Sequence, residues 1–333
     1  AIPAFNISFQ EQAQAILSAA EKTQSPVIIQ LSSGGLKHAS SWFFTGLIEH
    51  AKESALPICI HRDHCHSIQE VEQAINLGFT SIMMDGSLSP EGIPTSFAEN
   101  VSITQKAAAL SHPHGISIEG EIGCLGSLET GLSGEEDGTQ AAETLSLEQM
   151  LTDPAQAHQF MAETKIDALA IAIGTSHGAY KFSRKPDGDI LAMHVIEEIH
   201  NRLPNTHLVM HGSSSVPQEL QEVFNKFGGD MPQTWGVPLS EIERGIKNGV
   251  RKVNIDTDCR LAMAGVIRRV AQEQKSEFDL RKFMKPARDA MEAVCIDRFE
   301  RFGAAGQAVK IKPLSLKQMA AQYEVGALEP IIS

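Results

Sequence analysis

Short, almost continuously apolar runs recur along the chain, each followed by a stretch in which apolar residues return every three or four positions. The runs are Pro3–Asn6, Pro26–Ser32, Pro57–Asp63, Ser81–Asp85, Ile116–Ile122, Ala168–Gly174, Leu208–His211 and Lys252–Asp256. Segments such as VIIQL, SIMM, ALAIAI and LVM lack the alternation of a half-exposed strand and fit strands covered on both faces of a parallel sheet. Helix starts are legible between them. Ser8-x-x-Glu11 and Ser67-x-x-Glu70 predict capping boxes, and Asp153-Pro154 predicts an N-cap followed by proline in the first turn. Ala13, Ile16, Leu17 and Ala20 form one apolar stripe on the first helix. Gly78 and Gly249 stand where helices should stop.

Eight strands alternating with helices predict an α/β fold, a (β/α)8 TIM barrel, over about residues 3–273. From Phe278 the pattern is largely helical, so extra C-terminal helices over about 278–333 should pack outside the barrel, within one domain spanning 1–333. The competing doubly wound sheet usually has fewer strands and often a glycine-rich phosphate loop after the first one. Here that strand runs into Phe5-Asn6-Ile7-Ser8, without GxGxxG.

Composition narrows the partners. The 333 residues carry 41 acidic and 28 basic side chains, a net charge of −13, which argues against nucleic acid and anionic membranes. A small anionic substrate stays open if a few cations gather locally. The longest apolar runs, such as Ala168–Ile173, fall far short of the ~20 residues that span a bilayer. No signal peptide is evident, and Ala1 leads almost directly into a strand without a methionine, as if an N-terminal segment were missing. Five scattered cysteines without CxxC spacing read as reduced thiols of a cytoplasmic protein.

A barrel brings the C-terminal ends of its strands to one face, where such enzymes place their active sites. Those ends carry Asn6, Ser32, Asp63-His64, Asp85, Glu119 and Glu121, Thr175-Ser176-His177, His211, and Asn254 with Asp256. Of the thirteen histidines, His158, His194 and His200 lie in helical patterns and read as solvated surface. His64, His177 and His211 converge, and three imidazoles plus an open position are a common catalytic zinc arrangement. Three hydrogen-bonded rim histidines would be the bland alternative. Asp63 should point away from its neighbour His64 along a strand, serving substrate while His64 binds metal, or else orient a ligand from behind.

Small-residue turns follow three strands: His177-Gly178-Ala179-Tyr180-Lys181, His211-Gly212-Ser213-Ser214-Ser215, and Asn254-Ile255-Asp256-Thr257. Glycines let backbone N–H groups approach an anion, and Ser215 could cap the next helix. Lys181 and Arg260 could meet phosphate oxygens or simply be surface cations. Between Gly126 and Gly138, a loop with Glu135-Glu136-Asp137 could deliver a general base over the site, although acidic loops more often serve solvation.

Together, PAFN, HRDH, GFTSIMMDGS, EGEIGCLGSLETG, EEDG, AIAIGTSHGAYKF, HGSSSVP and GVRKVNIDTD resemble the class II fructose-bisphosphate aldolases over nearly the whole chain. The longer connection Phe227–Val237 resembles the bacterial Calvin-cycle and glycolytic subtype. The resemblance implies Zn2+ on His64, His177 and His211, with Asp85 and Glu121 at a second or alternative divalent site. Asp63 matches the residue that moves the proton of the aldehyde-derived oxygen. Glu136 matches the loop carboxylate that exchanges the carbon-bound proton of dihydroxyacetone phosphate. Gly178, Lys181, Gly212, Ser213 and Ser214 match one phosphate site, with a monovalent cation nearby, and Asn6, Asn254, Ile255, Asp256 and Thr257 fall among the substrate positions. Ser32 matches a contact to the other phosphate. Arg281 resembles an arginine that reaches that phosphate from a neighbouring subunit of a dimer or tetramer, and Arg260 is a second candidate.

The implied reaction is reversible cleavage of fructose 1,6-bisphosphate, with zinc stabilising the enediolate in place of a Schiff-base lysine. Tagatose 1,6-bisphosphate and sedoheptulose 1,7-bisphosphate are the nearest alternative substrates. A metal-dependent hydrolase would usually show HxH on the first strand, where this chain has Phe5-Asn6. A non-catalytic sugar-phosphate barrel is disfavoured because every proposed reacting group is present. His66 departs from the family pattern, as a competing ligand or as a group that reshapes the entrance.

Overall fold

The structure, a computed structural model, describes residues 1–89, 91–128, 144–186 and 191–332. Eight parallel strands close into a barrel in chain order: β1 Ile2–Asn6, β2 Val27–Leu31, β3 Ile58–Cys65, β4 Ser81–Met84, β5 Ser117–Ile122, β6 Ala168–Ile171, β7 His207–Met210 and β8 Val250–Ile255. β1 pairs with both β2 and β8, so no strand edge is left open. At least one helix follows each strand. Two helices, Ser33–His38 and Ser41–Glu53, lie between β2 and β3, and two more, Gln218–Lys226 and Leu239–Lys247, between β7 and β8.

Side chains alternate along a strand, and that alternation divides the barrel into two environments. Phe5, Ile29, Ile60, Ile82, Ile118, Leu208 and Val253 belong to the large apolar layer shared with the surrounding helices. Their neighbours in sequence point inward. The apolar inward cluster is small, consisting of Met83, Ala170 and Val209 with Ala168 against it. Much of the remaining interior is polar, including Gln30, His61, Glu119 and Lys252, all buried. Such a barrel departs from the usual filling by branched aliphatic layers.

The helix Leu280–Arg301 packs outside the barrel against Gln10–Thr23 and Thr257–Glu273. Its Phe299 meets Phe5 of β1 edge-on, with ring centroids 5.4 Å apart. Further on, Leu316–Glu324 docks on the short turn His112–His114, where the Tyr323 and His112 rings stack at 4.0 Å. Among the described residues, no helix is long and apolar enough to cross a membrane.

Two capping expectations change. The first helix begins at Gln10 with Phe9 as N-cap and no side-chain cap, because the Gln12 carboxamide accepts from the Ser8 N–H instead. Ser67 does cap Ile68–Leu77, but the Glu70 carboxylate turns to the His66 N–H, leaving half a box. Asp153 caps Pro154–Thr164 as expected, accepting from Ala155 and Gln156. Gly78 ends its helix at φ 89°, a conformation that costs glycine little.

Candidate active site

The site begins inside the barrel. Lys252 on β8 donates to Glu119 Oε2 on β5 at 2.8 Å, and His61 on β3 lies 3.7 Å from the same oxygen. The other Glu119 oxygen sits 2.7 Å from His211 Nε2. Burial alone would raise the pKa of Glu119, but Lys252 and His211 hold it below the ordinary carboxylate value. This carboxylate therefore fixes the outward direction of His211, whose Nδ1 faces the barrel mouth.

His64 arrives by an irregularity. The β3–β4 register shifts between Arg62 and Cys65, and His64 adopts φ 49°, uncommon for any residue with a side chain. The bulge overturns the simple alternation expected for this pair: Asp63 Oδ1 and His64 Nε2 end up 4.0 Å apart in one site. Buried Arg62 ties the bulge to the helix Ser33–His38 by donating to Ser33 Oγ at 2.8 Å. His64 Nδ1 lies 3.0 Å from Asp85 Oδ2, while its Nε2 is 3.0 Å from His211 Nδ1.

His177 closes the group from the turn after β6, its ring centroid 5.1 Å from that of His64. One donor atom from each of His64, His177 and His211 falls within 4.8 Å of the others. Two imidazole nitrogens facing one point at 3.0 Å need a shared proton or a shared cation. The far nitrogens of His64 and His211 each meet a carboxylate, as ring nitrogens opposite a metal commonly do. The donor set fits a metal ion. Asn254 Nδ2, 3.1 Å from His211 Nδ1, would give way to it.

Four buried carboxylates surround the trio. Burial disfavours charge on His64, yet Asp63 and the hydrogen-bonded Asp85 hold its pKa up to about 10. Asp85 is held below its ordinary value by His64 and His66 despite its burial. Glu121 goes the other way, raised well above the usual range by burial and by Asp85. Its Oε2 is buried without a hydrogen-bond partner among the described residues. Asp85 also accepts from the Ser87 N–H and hydroxyl, so here it orients His64. A second metal-capable group joins His64 and Asp85 to His66 rather than to Glu121.

Asp63 receives amide donors from Asn6 at 3.0 Å, Gln30 at 3.2 Å and Asn254 at 3.4 Å. Gln30 had no place among the sequence candidates, since one amide inside VIIQL carries no chemical signature; only its inward position reveals it. Above this network opens a cleft lined by Asn6, His177, Gly178, Lys181, Gly212, Ser213, Ser214, Asn254, Asp256 and Thr257. Gly212, at φ 60°, leaves no room for a Cβ, which would lie 2.6 Å from the Ser176 carbonyl.

Several candidates are not among the residues that line this cleft. The Ile255 side chain belongs to the apolar layer between barrel and helices. Ser32 caps Ser33–His38 by accepting from the Gly35 N–H. Arg260 pairs with Asp256 at 2.6 Å along one helical turn. Arg281 pairs with Asp279 at 2.8 Å, its side chain 90% exposed. Glu136, with Glu135 and Asp137, lies outside the described residues.

A parallel barrel that gathers three imidazoles, buried carboxylates and a glycine-lined polar cleft at one end has the architecture of a metal-assisted enzyme. The family model for fructose-bisphosphate aldolase class II matches residues 1–307. Fructose-bisphosphate aldolase 2 of Cereibacter sphaeroides is 57% identical over 99% of this chain and 94% of its own length. The fructose-bisphosphate aldolase of Stutzerimonas stutzeri is 53% identical over 100% of this chain and 95% of its own. The crystal structure of a putative fructose-1,6-biphosphate aldolase from Coccidioides immitis superposes with a TM-score of 0.70 at 27% identity, covering 93% of this chain and 94% of that one. The chain belongs to the class II fructose-bisphosphate aldolase family and is a class II aldolase, a carbon–carbon lyase.

With a pKa of about 10, metal-free His64 keeps its proton near neutral pH, so loading the trio must expel it. Calorimetric titration of zinc into metal-free protein, in buffers of differing ionisation heat, should report release of about one proton per ion near neutral pH. Zinc uptake without proton release would mean that His64 is already neutral before the metal binds.

Proposed function

We propose that the chain catalyses reversible cleavage of fructose 1,6-bisphosphate into dihydroxyacetone phosphate and glyceraldehyde 3-phosphate, with zinc held by His64, His177 and His211. The observation that carries this reading is the convergence of those three imidazoles beside the glycine-lined cleft. Zinc supplies Lewis acidity at the ketose carbonyl. The chain's own groups position and move protons. Asp63, oriented by Asn6, Gln30 and Asn254, takes the proton from the C4 hydroxyl during cleavage and returns it during condensation. Glu136 handles the carbon-bound proton of dihydroxyacetone phosphate.

Gly178, Lys181, Gly212, Ser213 and Ser214 hold one phosphate, with a monovalent cation near that turn. Asn254, Asp256 and Thr257 line the sugar chain between the ends. The other phosphate lies toward Ser32 and takes its charge from Arg281 of a second subunit. That assignment is supported by the exposure of Arg281 and makes the active form a homo-oligomer. Arg260 serves the same phosphate if the subunit arrangement excludes Arg281. Asp85 and Glu121 form a second divalent site. Glu121 suits it, because its buried Oε2, without a hydrogen-bond partner among the described residues, would gain from a cation.

Fructose 1,6-bisphosphate should be cleaved with the highest kcat/KM in a parallel assay with tagatose 1,6-bisphosphate and sedoheptulose 1,7-bisphosphate. Preference for either of the others would reassign the substrate while leaving the chemistry. Asp63→Ala should lose cleavage by about 10²–10⁴-fold, the usual worth of a proton-transfer group, while deuterium exchange into dihydroxyacetone phosphate persists. Glu136→Ala should lose both. Metal analysis decides the remaining case: loss of zinc in Asp63→Ala would make Asp63 a support for His64.

A further inference from the structure

Behind the turn Gly212–Ser215 lies a backbone conformation that the residue there resists. Val216 sits at φ 46°, in the left-handed region, although a β-branched side chain makes that conformation strongly unfavourable. It is 1% exposed and no glycine relieves it, so its surroundings must impose the conformation. The imposing group is the Asp258 carboxylate, in the first turn of the helix Thr257–Glu273. Its Oδ1 accepts from the Val216 N–H at 2.8 Å. Its Oδ2 accepts from the Ser215 N–H and the Ser215 hydroxyl, both at 3.1 Å. The Val216 carbonyl is held from the other side by the Gln221 amide at 3.1 Å.

Asp258 is fully buried and needs a cation, which comes from outside the barrel. Arg298, near the end of the helix Leu280–Arg301, donates through one Nη2 to Asp258 Oδ2 at 3.0 Å and to Ser215 Oγ at 2.7 Å. Arg298 is itself 3% exposed. The chain is therefore gripped on the C-terminal side of Gly212, Ser213 and Ser214, the residues that line the cleft. Asp258 follows Asp256 and Thr257, two further lining residues, so one carboxylate ties both cleft walls together.

We propose that Asp258 and Arg298 are positioning residues that hold Val216 in its strained conformation and thereby pre-form the phosphate turn Gly212–Ser214. The inference rests on the reading of that turn as a phosphate site. Neither residue touches substrate. Their effect reaches the anion through the direction of backbone N–H groups, which bind phosphate without further reorganisation once the turn is fixed. The extra C-terminal helix then sets affinity as well as packing.

The test uses the zinc-loaded, full-length protein and inorganic phosphate as probe, followed through the amide resonances of Gly212 and Ser213, with KM for fructose 1,6-bisphosphate in parallel. Arg298→Lys and Asp258→Asn should each weaken phosphate binding and raise KM by about tenfold, the scale set by releasing one strained residue, with zinc content unchanged. Adding Val216→Gly to either variant should recover most of the loss, because glycine adopts positive φ without being forced. Val216→Gly alone should stay within about twofold. A simple packing role would predict the reverse, with glycine compounding the damage. Unchanged phosphate binding in folded Arg298→Lys, or no recovery on adding Val216→Gly, would overturn the clamp. If Asp258→Asn does not fold, the Arg298→Lys pair decides alone. Phosphate that leaves the wild-type Gly212 and Ser213 resonances unmoved would overturn the phosphate reading beneath the proposal.

Discussion

A closed barrel of eight parallel strands gives its interior only the side chains that point inward, and here many of those carry charge. Asp63, Asp85, Glu119 and Glu121 are all buried. Their isolated desolvation would cost several kcal/mol each, so each must be paired, hydrogen-bonded or protonated. The structure uses all three answers. Glu119 is paired with Lys252, Asp63 is surrounded by amides, Asp85 faces His64, and burial with Asp85 pushes the Glu121 carboxyl up, toward its neutral form. The balance still leans negative at the barrel mouth. That excess is where a divalent cation would be most stabilised, and the trio His64, His177 and His211 stands beside it.

The site is therefore a consequence of period-two geometry carried upward by one register position at a time. Lys252 and Asn254 point the same way on β8, as do His61 and Asp63 on β3, and Glu119 and Glu121 on β5. The lower member of each pair builds the buried ion cluster; the upper one meets the cleft or the metal-capable group. Glu119 takes Lys252 on one oxygen and His211 on the other, so the floor of the barrel and the direction of an imidazole above it are one problem. The bulge at His64 is the exception to the period, and it is what brings Asp63 and His64 together in one place.

The strands were legible to within three residues at either end, because buried parallel strands leave continuous apolar runs such as SIMM and ALAIAI. Their closure into a barrel followed from their number. His64, His177 and His211 were legible as strand-end residues that a barrel would bring together, and the structure places one donor atom of each within 4.8 Å of the others. Gln30 escaped notice because a single polar residue inside an apolar run looks like an interruption, and Lys252 because beside Arg251 it looks like a strand-end surface cation; both belong to the inward face. The failed Ser8 cap shows the limit of short patterns: Gln12, one position beyond the motif, outcompetes Glu11 for the Ser8 N–H. Asp258 and Arg298 lie 40 residues apart in sequence and join only because the C-terminal helix folds back on the barrel. No local pattern could have linked them.

The central claim is that the three histidines are a metal site, and anomalous diffraction at the zinc absorption edge from crystals of the zinc-loaded protein tests it most directly. The account predicts one strong anomalous peak among the ring nitrogens of His64, His177 and His211, with Glu119 still bonded to the far nitrogen of His211. A sole peak at His64, His66 and Asp85, or none near His177 and His211, would contradict it.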